Sequence, residues 1–177
     1  MHLRFELLSE EQTRSVAGWR YPPPYGFYNA DADPDDLQEL LDRSSPYYAA
    51  VDPQDTLVGF FCFKHTARVP AGFAAGAYDD RGALDVGLGM RPDLTGRGLG
   101  GPFLEAGLRF AREVFAPASF RLSVATFNTR AIALYKRAGF QPTRTFMHRT
   151  NGSEHEFLAM IRAAAFEPPV ARTRPAE

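Results

Sequence analysis

The chain holds little that would tie it to a metal, a disulfide framework or a bilayer. Its one cysteine, Cys62, can form no internal disulfide and no structural zinc site alone. Four histidines, His2, His65, His148 and His155, show no metal-ligand spacing. The densest apolar run, residues 57–63, is far too short to cross a membrane. The opening MHLRFELLSE contains no signal-peptide core. An excess of one charge is missing too: 20 Lys+Arg against 21 Asp+Glu leave a formal net charge of -1. A nucleic-acid coat needs a basic excess to neutralise phosphates. These absences predict no metal, no membrane and no nucleic-acid partner, and a reducing, cytoplasmic home.

What is present suits one domain: 177 residues, 45% hydrophobic and 13% aromatic. Residues 2–8 read as a strand and 9–19 as a polar helix. Pro22, Pro23 and Pro24 remove backbone donors and favour an extended polyproline conformation. Leu37, Leu40 and Leu41 predict a short amphipathic helix over 35–43. Residues 47–51 and 56–64, separated by Asp52-Pro-Gln-Asp55, are a strand–turn–strand signature. A Gly- and Ala-rich loop fills 70–82. Residues 84–90 then alternate, with Leu84, Val86, Leu88 and Met90 on one face and Asp85, Gly87 and Gly89 on the other.

Apolar residues at spacings of three and four predict a helix over 98–115. A strand at 119–125 follows, then a helix over 129–138 with Asn128 as N-cap and Gly139 as its left-handed stop. Residues 143–149 and 155–162 close the chain as a hairpin around Asn151-Gly152. The order predicts a mixed α/β (α+β) single domain over 1–165, with a frayed tail over 166–177.

Glycine stands at 96, 98, 100 and 101, where the strand ending near Met90 gives way to a helix. Unpaired N–H groups and the positive end of the dipole make such a junction a phosphate site. Glycine lets the backbone approach closely, and Arg97 adds a cation. The bland alternative is a flexible capping turn. The run also matches G-x-G-x-x-G literally. A dinucleotide site wants glycine directly after the strand and an acid at the end of the next one, and neither is present. No Gly-Lys-Ser/Thr completes a Walker loop.

Together with residues 128–140, this stretch resembles the GNAT superfamily of acyl-CoA-dependent N-acetyltransferases. Met90-Arg-Pro92 matches the family's strand exit, and Gly96-Arg-Gly-Leu-Gly100 its glycine loop. Asn128, Ala131, Leu134, Tyr135, Gly139 and Phe140 match its second signature position by position. The departure is Thr95, where the family usually carries Gln or Arg.

The resemblance implies a mixed central sheet whose two parallel strands splay apart, flanked by helices. It implies acetyl-CoA as co-substrate, with its pyrophosphate on the amides of Gly96, Arg97, Gly98, Leu99, Gly100 and Gly101. The pantetheine arm would lie along Leu88 and Met90, and Asn128 would bond the arm or hold the helix start. Tyr135 would be the general acid for the leaving thiolate; its alternative is a core-packing tyrosine. Asp85, the only carboxylate on the central strand, would be the base that deprotonates the amine; its alternative is a paired or solvated strand-end residue. Trp19, Tyr25 and Tyr28 would form an aromatic lid over the acceptor, or a satellite cluster under a long loop.

Cys62 reads as a small buried residue and offers no nucleophile with an adjacent base. The expected reaction is therefore direct transfer of an acetyl group to the amine of a small molecule or peptide. A non-catalytic acyl-CoA-binding module is the alternative, and a homodimer is compatible with either.

Overall fold

In the computed structural model, residues 1–29, 40–42, 44, 46–150 and 152–165 are described. The helix expected over 35–43 falls outside them apart from Leu40, Leu41 and Asp42, as does the tail from Phe166. The strands are β1 (Arg4–Leu7), β2 (Tyr47–Val51), β3 (Leu57–Phe63), β4 (Ala83–Met90), β5 (Ser119–Ala125), β6 (Gln141–Thr150) and β7 (Ser153–Ala163). The helices are α1 (Glu10–Ala17), α2 (Ala71–Ala74), α3 (Gly100–Phe115) and α4 (Thr129–Arg137). One seven-stranded sheet runs β1-β2-β3-β4-β5-β7-β6. Only β4 and β5 pair in parallel; every other neighbouring pair is antiparallel.

Local chemistry accounts for the element ends. Ser9 and Gln12 form a reciprocal capping box at the start of α1. In the β2–β3 turn the Asp52 carboxylate accepts the N–H groups of Gln54 and Thr56, each at 2.9 Å. The Asn128 side chain accepts the Ala131 N–H at 3.1 Å, and Gly139 with φ +88 ends α4. The polyproline expectation fails. Pro24 has φ -85 and ψ 7, and the Tyr25 N–H donates back to the Pro22 carbonyl at 2.9 Å. Such a turn bond is absent from an extended segment. The chain instead enters a 3-10 helix, Tyr25–Tyr28.

Strand alternation divides the interior in two. Phe61 and Phe63 of β3, Leu84 and Val86 of β4, and Phe120, Leu122 and Val124 of β5 share one cluster with Phe103, Leu104 and Leu108 of α3 and Tyr135 of α4. Gly107 permits the close approach of α3, because a Cβ there would stand 2.2 Å from the Phe61 ring. The opposite face carries Phe60, Cys62, Asp85, Gly87, Arg121 and Ser123 by the same alternation. There Trp19 packs on Phe60, and a second group joins Tyr78, Ala125, Phe146, Phe157 and Ala159.

Candidate active site

The two parallel strands stay together for only three registered pairs, Ala83↔Ser119, Leu84↔Phe120 and Asp85↔Arg121. Beyond them β4 runs on to Met90 and β5 to Ala125 without pairing. On its other edge β4 meets β3, where the Arg91 N–H donates to the Val58 carbonyl at 2.9 Å. Backbone groups alternate direction along an antiparallel pair. Gly87 and Gly89 therefore also face β3, and the N–H and C=O groups of Val86, Leu88 and Met90 turn toward the gap. An extended chain with amides of its own could pair with them. The Met90 carbonyl already accepts the Tyr21 hydroxyl at 2.8 Å. Nothing local in the sequence marks Tyr21 for this role, since the bond spans 69 positions.

At the outer end of this gap lies the glycine turn. Gly96 and Gly98 both have φ +76, the left-handed conformation that glycine adopts without steric cost. The first helical bond is Phe103 N–H to the Leu99 carbonyl at 3.0 Å. Among the described residues the six N–H groups from Gly96 to Gly101 have no internal acceptor. A run of amides in alternating left- and right-handed conformation is an anion-binding nest. The Arg130 guanidinium flanks it, 3.6 Å from where a Gly96 Cβ would stand. Arg97 is exposed at the turn. The Thr95 hydroxyl donates to the Pro92 carbonyl at 2.7 Å, so this departure from the family pattern braces the loop.

Gap and turn open into one cavity of about 820 Å³. Leu88, Met90, Gly96, Gly98, Gly100, Gly101, Asn128 and Tyr135 line it, with Trp19, Tyr25 and Tyr28. Arg97 and Leu99 do not, although they belong to the turn. Tyr135 is 8% exposed, and burial holds its phenol protonated well above the ordinary tyrosine range. Its hydroxyl makes no hydrogen bond among the described residues, so the proton remains available as a donor. The Asn128 amide donates to the Tyr28 hydroxyl at 3.2 Å while its oxygen caps α4. Arg130 lies 5.0 Å over the Tyr25 ring. Tyr25 and Tyr28 thus stand against the glycine-turn side of the cavity. Trp19 is buried as a wall residue rather than held out as a lid.

Asp85 is the expectation that the geometry corrects. Its carboxylate is 1% exposed and absent from the cavity lining. Arg121 Nε and Nη2 donate to it at 2.6 and 3.0 Å, and Arg68 Nε donates at 2.6 Å. Its oxygens are spent on two guanidiniums and present no face to an amine in the cavity. It closes the apex where β4 and β5 part. The pairing of Asp85 with Arg121 was legible only as opposite charges on two strands, because their register is a tertiary fact.

Among the described residues no helix is long and apolar enough to cross a membrane, and no group of three or more His, Cys, Asp or Glu could hold a metal ion. Residues 12–140 match the acetyltransferase (GNAT) family. A mycothiol acetyltransferase of Propionibacterium freudenreichii subsp. shermanii is 32% identical over 148 residues, 81% of this chain. The chain spans 43% of that relative's length. In fold it resembles the spermidine N-acetyltransferase of Vibrio cholerae crystallised with CoA and spermine: TM-score 0.69, 17% identity, covering 92% of this chain and 95% of that one. A chimera of Vibrio cholerae SpeG with hSSAT gives a TM-score of 0.71 at 17% identity, covering 93% and 96%. Splayed parallel strands, a nest of free amides at the head of α3 and a sequence match across most of the chain agree: this protein belongs to the acetyltransferase (GNAT) family.

Proposed function

We propose that the chain moves an acetyl group from acetyl-CoA to the amine of a small molecule or peptide, without a covalent enzyme intermediate. The observation that carries this reading is the run of six unpartnered amides leading into a gap lined by Leu88, Met90 and Tyr135. The residues fit the co-substrate in charge and shape. The Gly96–Gly101 amides and Arg130 suit a diphosphate. The gap-facing groups of Leu88, with the Met90 N–H, suit an extended arm that carries amides of its own. Acetyl-CoA supplies an acyl group already activated as a thioester, so the enzyme needs to orient and protonate rather than activate.

An N–H of Leu88 or Met90 stabilises the oxygen that gains charge as the amine attacks. As the carbon–sulfur bond breaks, Tyr135 gives its proton to the sulfur. Asn128 holds Tyr28 and the start of α4, and so fixes the position of Tyr135 about two turns further on. No aspartate, glutamate or histidine lines the cavity among the described residues. Water takes up the acceptor's proton as the amine attacks. The acetyltransferase names of the relatives favour the enzyme over a binding module without catalysis.

Calorimetry with acetyl-CoA, followed by a thiol-release assay with an amine panel, tests the reading. Binding and turnover are expected. No heat of association at millimolar acetyl-CoA would refute it.

A further inference from the structure

The cavity wall carries a guanidinium that stands apart from the diphosphate end. Among the described residues its charged members are Arg68, Arg130 and Arg137. Arg130 stands beside Gly96 at the diphosphate end. Arg68 belongs to the other side of the sheet: it follows β3 and bonds Asp85, which shares a face with Cys62 and Ser123. Asp85 is one negative charge held between two guanidiniums, Arg121 and Arg68, which leaves the triad at +1.

Arg121 spends its donors inside the protein, on both Asp85 oxygens and on the Asp80 carbonyl at 3.0 Å. Arg68 uses only Nε. Its two terminal nitrogens have no acceptor among the described residues, and its side chain is 26% exposed. The rings of Phe73 and Tyr78 lie 5.5 and 5.3 Å from its guanidinium carbon, which restrains the plane of the group. A fixed guanidinium with both terminal N–H groups open presents a fork that matches two oxygens of one anion.

Trp19, Tyr47 and Phe60 supply the apolar wall of the same cavity.

We propose that the acceptor is an amine that also bears an anionic oxyacid group, a carboxylate or phosphonate, on an apolar frame, and that Arg68 receives the anion. Arg68 is then a specificity determinant of the transfer proposed above, on which this inference rests. An amine without an anionic group, neutral or polycationic, leaves this guanidinium without an ionic partner.

The test pairs L-phenylalanine with phenethylamine, and 3-aminopropylphosphonate with propylamine, and adds spermidine; thiol release is read at saturating acetyl-CoA. The anionic member of a pair is expected to have a kcat/KM about tenfold higher, the scale of one charge-assisted contact. That ratio is expected to collapse toward one in Arg68→Gln and to return in part in Arg68→Lys, with acetyl-CoA calorimetry confirming that each variant is folded. A wild-type preference for spermidine or the neutral amines would overturn the proposal, as would a ratio that survives Arg68→Gln.

A second readout needs no turnover. Trp19, the only tryptophan in the chain, lines the cavity, so phenylphosphonate titration can be followed by its fluorescence. If acetyl-CoA binds but no amine reacts, the transfer reading fails and this titration decides the subsite alone. Saturable quenching that Arg68→Gln abolishes supports it; no saturable quenching in the wild type overturns it.

Discussion

Replacing Asp85 by Asn separates the two jobs open to this carboxylate. In the structure it is 1% exposed, and Arg121, at 2% exposure, donates to both of its oxygens. Arg68 adds a third short bond, but its side chain is 26% exposed, so water screens part of that attraction. Asn keeps the shape and removes the charge, leaving the Arg121 guanidinium buried without a counter-ion. Breaking a buried pair in this way costs about 3–5 kcal/mol. For a chain of this length that lowers Tm by about 10 °C.

The assay is thermal unfolding of both proteins, with acetyl-CoA calorimetry and turnover measured well below the variant's midpoint. A double-mutant cycle with Arg121→Gln is expected to show strong coupling, since the second change removes the orphaned charge. If Asp85→Asn instead kept the wild-type Tm while kcat fell steeply and its pH profile lost a limb, Asp85 would be the base and the structural reasoning would be wrong.

Tyr135→Phe is expected to lower kcat by about a hundredfold or more while the Kd for acetyl-CoA stays unchanged; equal turnover across pH would remove the acid role. Gly98→Val places a side chain at φ +76 and costs about 1–2 kcal/mol of backbone strain. Calorimetry should show weaker acetyl-CoA binding by about tenfold, with Tm lowered only by about the 2–8 °C that the strain itself costs, since a Cβ there meets nothing within 4 Å; an unchanged Kd would count against the nest. Burial pushes the Tyr21 phenol up to about 12, above the ordinary value of 10. A raised folded-state pKa gives stability that is complete below pH 10 and lost as pH rises to 12. Urea unfolding should show that decline in the wild type and less of it in Tyr21→Phe.

The elements around the cofactor side were legible because their determinants are local. The glycines at 96, 98, 100 and 101, the Asn128 cap and the Gly139 stop act within a turn of where they stand, and β2 and β5 have the bounds that alternation predicted. The proline segment misled because three rings fix φ but not the turn that follows. Tyr21 on Met90 and Tyr78 on Ser123, whose hydroxyl oxygens lie 3.0 Å apart, could not be read from any window of sequence.

Asp85 shows the boundary most clearly. Periodicity put it correctly on the face away from Leu84 and Val86, but a period cannot say what occupies that face. The registered pair Asp85↔Arg121 filled it with a guanidinium, and the chain after β3 brought a second. The sequence by itself determined the order of elements and the backbone freedom of the phosphate turn, since both depend on neighbours along the chain. The tertiary structure alone decided which charges meet, because an ion pair depends on distance through space, and strand register sets that distance.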